Sequence, residues 1–153
     1  MDSLQTFLDH KAITELKARY FRSVDTFDLD GWLGVFTEDA VLEFDLTISG
    51  PGQPEPQRHR IEGTQAITDF WTSNSDRLQS VHHGHMPEIE ILSDSEARGI
   101  WAMEDIVEFT GSTLHGFGHY HETYRRESGQ WRIARLHLTR TRLEVRARNR
   151  MSL

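Results

Sequence analysis

The chain has no cysteine. Disulfides, thiolate zinc sites, iron–sulfur clusters and cysteine nucleophiles are excluded together. Long apolar runs are missing too, since none approaches the ~18–20 residues that a membrane-spanning helix needs. Basic residues are in deficit: 17 Lys and Arg stand against 24 Asp and Glu, a formal net charge of −7. That balance suits neither nucleic acid nor an anionic membrane surface as a partner. There is no Gly-x-Ser-x-Gly elbow, phosphate-binding loop or dinucleotide fingerprint. Gly111, Gly116 and Gly118 do not make the last of these, because they fall in a hairpin. Asp2, Asp9, Glu15 and Lys17 do not fit a signal peptide. The expectation is a soluble, cytoplasmic protein with one domain over residues 1–153.

Apolar residues make up 37% of the chain, with eight Phe, four Trp and three Tyr, enough for a sizeable core. Leu4, Phe7, Leu8, Ile13, Leu16, Tyr20 and Val24 recur at helical steps and predict a helix over 3–26. A short helix follows at about 29–36, with Asp28 as its cap and Trp32, Val35 and Phe36 facing inward. Thr37–Asp39 reads as a turn and Ala40–Phe44 as a strand. Gly50, Pro51, Gly52, Pro54 and Pro56 make 49–60 a loop. A third helix is expected from Gly63 to about Leu78, with Ile67, Phe70 and Trp71 on its apolar side. Four long strands come last, at 80–92, 96–109, 115–126 and 130–143. Helices first and a strand meander last predict an α+β fold: a curved, mostly antiparallel sheet with helices on one face. Such a sheet leaves a cavity suited to a small molecule.

Asp105 shares its strand parity with Trp101, Met103 and Val107. A carboxylate in the middle of that face must be paired, protonated or turned to a polar cavity. A structural ion pair with one of the clustered arginines Arg140, Arg142, Arg146, Arg148 and Arg150 is the plain alternative. Nine histidines are many for this length. Three of them stand in His82-His83-Gly84-His85, where His82 faces one way and His83 and His85 the other. One pointing into the cavity would suit a general base near neutral pH. Pro87 implies an edge or a bulge in that strand. His83 and His85, with Glu90 beyond, are also spaced to chelate, like half of a cupin motif, but the second half is absent and no metal is expected. His119 and His121 alternate with Tyr120, Glu122 and Tyr124. If the tyrosines line the core, these histidines lie on the outer face. Tyr20 sits on the apolar stripe of the first helix. Asp25 lies at the edge of that stripe, where it caps the helix or accepts a histidine N–H.

Ala12–Asp25, Asp30-Gly31-Trp32 and Phe36–Val41 together resemble the opening of SnoaL-like proteins, members of the nuclear-transport-factor-like superfamily. Gly63–Ile67, His82–Pro87, Ala97–Asp105, His119–Tyr124 and Gly129–Ile133 continue the likeness over nearly the whole chain. The resemblance implies a cone-shaped barrel of one curved sheet wrapped around the N-terminal helices. It leaves the reaction open, because the superfamily holds dehydratases, isomerases, cyclases, dehydrochlorinases and non-catalytic subunits. The functional pattern is similar to that of scytalone dehydratase and bile-acid 7α-dehydratase. It places catalytic roles on Tyr20, Asp25, His82 and Asp105, with His83 an alternative to His82, and a cationic role on Arg140 or Arg142. Trp101, Met103, Tyr120 and Arg140 are the expected substrate-binding residues. The implied function is a cofactor-independent lyase of dehydratase type. His82, oriented by Asp25, would take a proton α to a carbonyl. Tyr20, with Asp105 if protonated, would hydrogen-bond the developing enolate or the departing hydroxyl. The aromatic lining suggests a flat, apolar steroid or polyketide ring. A ketosteroid-isomerase-like proton shuttle and a non-catalytic binding or assembly protein are the alternatives. A homo-oligomer is expected, a trimer ahead of a dimer.

Overall fold

A computed structural model describes residues 3–74 and 77–147. Helices α1 (Ser3–Asp25) and α2 (Leu29–Leu33) lead into β1 (Phe36–Asp45), β2 (Arg58–Glu62) and α3 (Gly63–Ser73). Strands β3 (Arg77–Ile91), β4 (Glu96–Phe109), β5 (Ser112–Glu127) and β6 (Gln130–Ala147) complete the chain. The six strands form one sheet in the order β2-β1-β6-β5-β4-β3. Every pairing is antiparallel except that of β1 with β6. The fold is the expected α+β arrangement of N-terminal helices on one curved, mostly antiparallel sheet, which is open, with β2 and β3 as its edges.

Alternation decides which side of the sheet is covered. On β4, Ala97, Gly99, Trp101, Met103, Asp105 and Val107 are buried and their neighbours are not. On β5, Tyr120, Glu122 and Tyr124 are buried while His121 is exposed. Helix α1 lays Ile13, Leu16, Tyr20 and Val24 into this buried face, and these join one core with Trp32, Phe36, Leu42, Ile67, Trp131, Ile133 and Leu136. Asp28 caps α2 by accepting the Gly31 N–H at 2.9 Å.

Four boundaries differ from the sequence reading. Helix α2 stops at Leu33, where Gly34 is its C-cap. Thr37–Asp39 belongs to β1 rather than to a turn, and the irregularity is absorbed as a register shift against β6 between Phe36 and Val41. Residues 58–60 are in strand β2 instead of the loop, paired to Glu43–Asp45 at the sheet edge. Helix α3 ends at Ser73 rather than Leu78. Thr72, Ser73 and Asn74 turn their side chains back onto the carbonyls of Asp69 and Phe70, which offers the last turn an alternative to helix. Pro87 sits on an edge strand and inside a register shift between His85 and Glu88, either of which accommodates a proline.

Candidate active site

Between α1, α2, α3 and the inner face of the sheet lies a cavity of about 250 Å³. Its wall is mostly apolar, with Val24, Trp32, Phe44, Phe70, Trp71 and Leu138 among its residues. Five polar groups break it: Tyr20, His82, Asp105, Tyr120 and Arg140, with Asn74 and Arg77 on the α3–β3 side.

His82 is held from behind by Asp25, the last residue of α1. The imidazole Nδ1 lies 2.6 Å from Asp25 Oδ1. The carboxylate also accepts the His82 backbone N–H at 2.8 Å and the Ser80 hydroxyl at 2.9 Å. Burial works to raise the Asp25 carboxyl, but the hydrogen bonds from His82 and Ser80 outweigh it and hold the group below its ordinary range. An ionised Asp25 makes Nδ1 the protonated nitrogen and leaves a lone pair on Nε2. Nε2 has no hydrogen-bond partner among the described residues. This is the arrangement of an oriented general base.

Asp105 and Arg140 face each other across β4, β5 and β6. Arg140 donates to both carboxylate oxygens, each at 2.7 Å, and both side chains are at least nine-tenths buried. The pair occupies room that Gly116, between them on β5, leaves empty. A Cβ there would stand 2.1 Å from Arg140 Nη1 and 2.4 Å from Asp105 Oδ1. Burial opposes the Arg140 charge, and Asp105 more than restores it, so the guanidinium is held above its ordinary value.

Tyr20 and Tyr120 stand edge to face, their ring centres 5.9 Å apart. Burial first, and then the negative charge of Glu122, push the Tyr20 hydroxyl well above its ordinary value. Burial does the same to Tyr120. Both are therefore neutral O–H donors over the working range of pH. Beneath their rings lies Lys17, whose ammonium is 4.0 Å from the centre of Tyr20 and 3.6 Å from that of Tyr120. Its Nζ bonds Glu122 at 2.5 Å, and burial lowers its pKa to about 8.

A model of the SnoaL-like domain matches residues 5–137. The chain belongs to the SnoaL-like domain family. Solved structures share its fold. A candidate scytalone dehydratase from Novosphingobium aromaticivorans is 20% identical, over 99% of both chains, with a TM-score of 0.80. A Mycobacterium tuberculosis protein of unknown function is 26% identical over 93% of this chain and 78% of that one, with a TM-score of 0.74. A hexachlorocyclohexane dehydrochlorinase, LinA-type3, from Novosphingobium barchaimii is 17% identical over 94% of each chain, with a TM-score of 0.76.

Within this SnoaL-like domain, Tyr20, His82, Asp105, Tyr120 and Arg140 meet at one cavity, and Asp25 stands directly behind His82. Of the neighbouring histidines it is His82 that turns inward, while His83 and His85 are exposed with ring centres 6.2 Å apart. Three expectations change. Trp101 and Met103 point inward yet are not in the cavity wall: the cavity takes only the Asp105–Phe109 end of β4. Trp101 is spent on a 2.8 Å hydrogen bond to the Tyr124 hydroxyl, and Met103 lies beside Arg140. Asp105 is not placed to donate, because both of its oxygens accept from Arg140. Among the clustered arginines Arg140 reaches the site, Arg142 and Arg146 pair with Glu144, and Arg148 and Arg150 lie outside the described residues. The residues not foreseen are Asn74 and Arg77.

No helix among the described residues is long and apolar enough to cross a membrane. Nor is any group of three or more His, Asp or Glu among them arranged to hold a metal ion.

Proposed function

We propose that this SnoaL-like domain is a cofactor-independent lyase that removes water from an apolar ring carbonyl compound by acid–base chemistry. The observation that carries the reading is the Asp25–His82 dyad, whose histidine lines an apolar cavity and keeps one ring nitrogen without a partner among the described residues.

His82 Nε2 takes a proton from the carbon next to the carbonyl. The electron pair of that C–H bond moves into an enolate. Arg140 or Tyr20 hydrogen-bonds the enolate oxygen, where negative charge develops. The enolate then expels the β-hydroxyl. The C–O bond breaks, and the hydroxide leaves as water with the proton now on His82. Base and cavity return to their starting state, and the substrate has lost one molecule of water. Asp105 acts through Arg140: it fixes the guanidinium plane and offsets its charge. Low-polarity walls strengthen each of these interactions. The related dehydratase and dehydrochlorinase structures support the reading, since both names describe eliminations.

The test is proton exchange in D₂O, followed by NMR, with cyclic β-hydroxyketones as substrates. Wild-type protein is expected to exchange the α-proton and release the enone. His82→Gln should lose roughly 10²–10⁴-fold of that rate. Exchange without loss of water would make the protein an isomerase-type proton shuttle. No His82-dependent exchange with any ring ketone would refute the catalytic reading.

A further inference from the structure

The cavity holds one charge that the proposed reaction does not use. Asp25 is occupied by His82 and Ser80, and Asp105 by Arg140. Arg77, the first residue of β3, lines the same cavity and makes no ion pair among the described residues. Its Nε is fully buried with no hydrogen-bond partner among them. The guanidinium is nonetheless built in. It stacks over Trp71 at 4.8 Å and over Phe27 at 4.5 Å, and the Arg77 backbone N–H bonds the Asn74 carbonyl at 3.2 Å. Phe27 itself adopts a left-handed backbone conformation, with φ at 58°, at the end of the α1–α2 turn. Arg77 also borders a neighbouring hollow lined by Phe27, Trp71, Thr72 and Asn74. It therefore stands where the cavity meets its surroundings. A fixed cation with no counter-charge among the described residues, beside an apolar cavity, is a ready partner for an anion.

Two more observations narrow the ligand. The two Nη groups of a guanidinium form a planar fork that fits a carboxylate. The cavity, at about 250 Å³, falls below the range of roughly 300–1,000 Å³ that holds drug-sized ligands, which favours one or two rings over four.

We propose that Arg77 is a specificity-determining residue that binds a ring carboxylate, so that the substrate is a one- or two-ring acid rather than a neutral steroid. The inference rests on the proposed function for its cavity and adds the substrate class. In this arrangement the carboxylate sits in the Arg77 fork, Trp32, Phe70 and Trp71 cover the ring, and the reacting carbons face His82 and Arg140.

The test is isothermal titration calorimetry with 2-naphthoate and its neutral isostere 2-naphthamide. Wild-type protein should bind the carboxylate tighter by about tenfold or more, the usual scale for a charged hydrogen bond. Arg77→Gln should bring the two ligands to nearly equal affinity. Arg77→Lys keeps the charge without the fork or the stacking, and should give an intermediate ratio if the glutamine variant does not fold. His83→Gln, on the outward face of β3, should leave the ratio unchanged. Equal binding of both ligands to wild type, binding of neither, or a ratio that survives at residue 77 would overturn the proposal. A ratio that depends on Arg77 in a protein showing no His82-dependent exchange would leave Arg77's role standing and remove the dehydratase reading instead.

Discussion

The Asp105–Arg140 pair allows a sharp test of what the cavity costs the fold. Asp105→Asn keeps the shape of the side chain and removes its charge. Arg140 then stays buried with one good acceptor in place of two and no counter-charge. Removing one partner of a buried ion pair typically costs about 3–5 kcal/mol. Here the pair borders a cavity and the asparagine still accepts one bond, so a value just below that range, about 2–3 kcal/mol, applies. For a chain of this length each kcal/mol moves the melting temperature by about 2–4 °C, so a drop of roughly 4–12 °C is expected. Differential scanning calorimetry at pH 7 without ligand measures it. Asp105→Asn/Arg140→Met should recover part of the loss, because no unpaired charge is left. A single variant that melts with the wild type, or above it, would show that the carboxylate is held at a stability cost for function, and that the pairing argument is wrong.

Gly116→Ala should destabilise by about 1–3 kcal/mol, because its methyl meets the atoms that join Asp105 to Arg140; chemical denaturation reads this directly. Asp25→Asn should lower turnover by at least tenfold with little change in KM, since Asp25 orients the base rather than touching substrate. Asp25 also sets an acid limit on stability. Its folded pKa lies below its unfolded one, so its contribution is complete above the unfolded carboxylate range and is lost as pH falls through the folded value. The asparagine variant should lack that part of the acid transition. Lys17 works in the opposite direction. Its folded pKa of about 8 lies below the unfolded 10.5, so the unfolded chain binds more protons between those values and stability gains with rising pH there. Lys17→Met should lack that gain when melting is scanned from pH 7 to 10. We further propose that the outward sheet face mediates a homo-oligomer, a trimer ahead of a dimer; light scattering should return a multiple of the 17.8 kDa chain mass, and the monomer mass would refute it.

Strand parity carried most of the site. It predicted that Asp105 interrupts a buried face and that His82 opposes His83 and His85, and in the structure that face is the cavity side. Parity does not say how far along β4 the cavity extends, and it cannot show that Trp101 bonds Tyr124 and that Met103 lies beside Arg140 instead of in the wall. Nor could it choose Asp105's partner, which depends on the register of β5 and β6 with Gly116 lying between. Arg77 was hidden by a boundary. A helix running to Leu78 would have put it on a helix surface, and only the back-bonding of Thr72, Ser73 and Asn74 ends α3 early enough for residue 77 to begin a strand. The open sheet edge could not be read either, since residues 58–60 carry charged side chains typical of both loops and edge strands.

The parallel seam between β1 and β6 has a kinetic consequence. Phe36 pairs with Ile133 and Phe44 with Leu138, whereas β3 to β6 are joined by consecutive short turns. Closing the seam encloses most of the chain and bears the largest loop entropy in the fold. The cavity straddles it: Phe44 of β1 and Trp71 of α3 come from one side, His82, Asp105, Tyr120 and Arg140 from the other. A bound molecule thus acts as a rivet across the contact with the largest closure entropy. Ligand occupancy and the lifetime of that seam rise together, and hydrogen exchange at β1 amides should slow with saturation before exchange in the β4–β5 hairpin does.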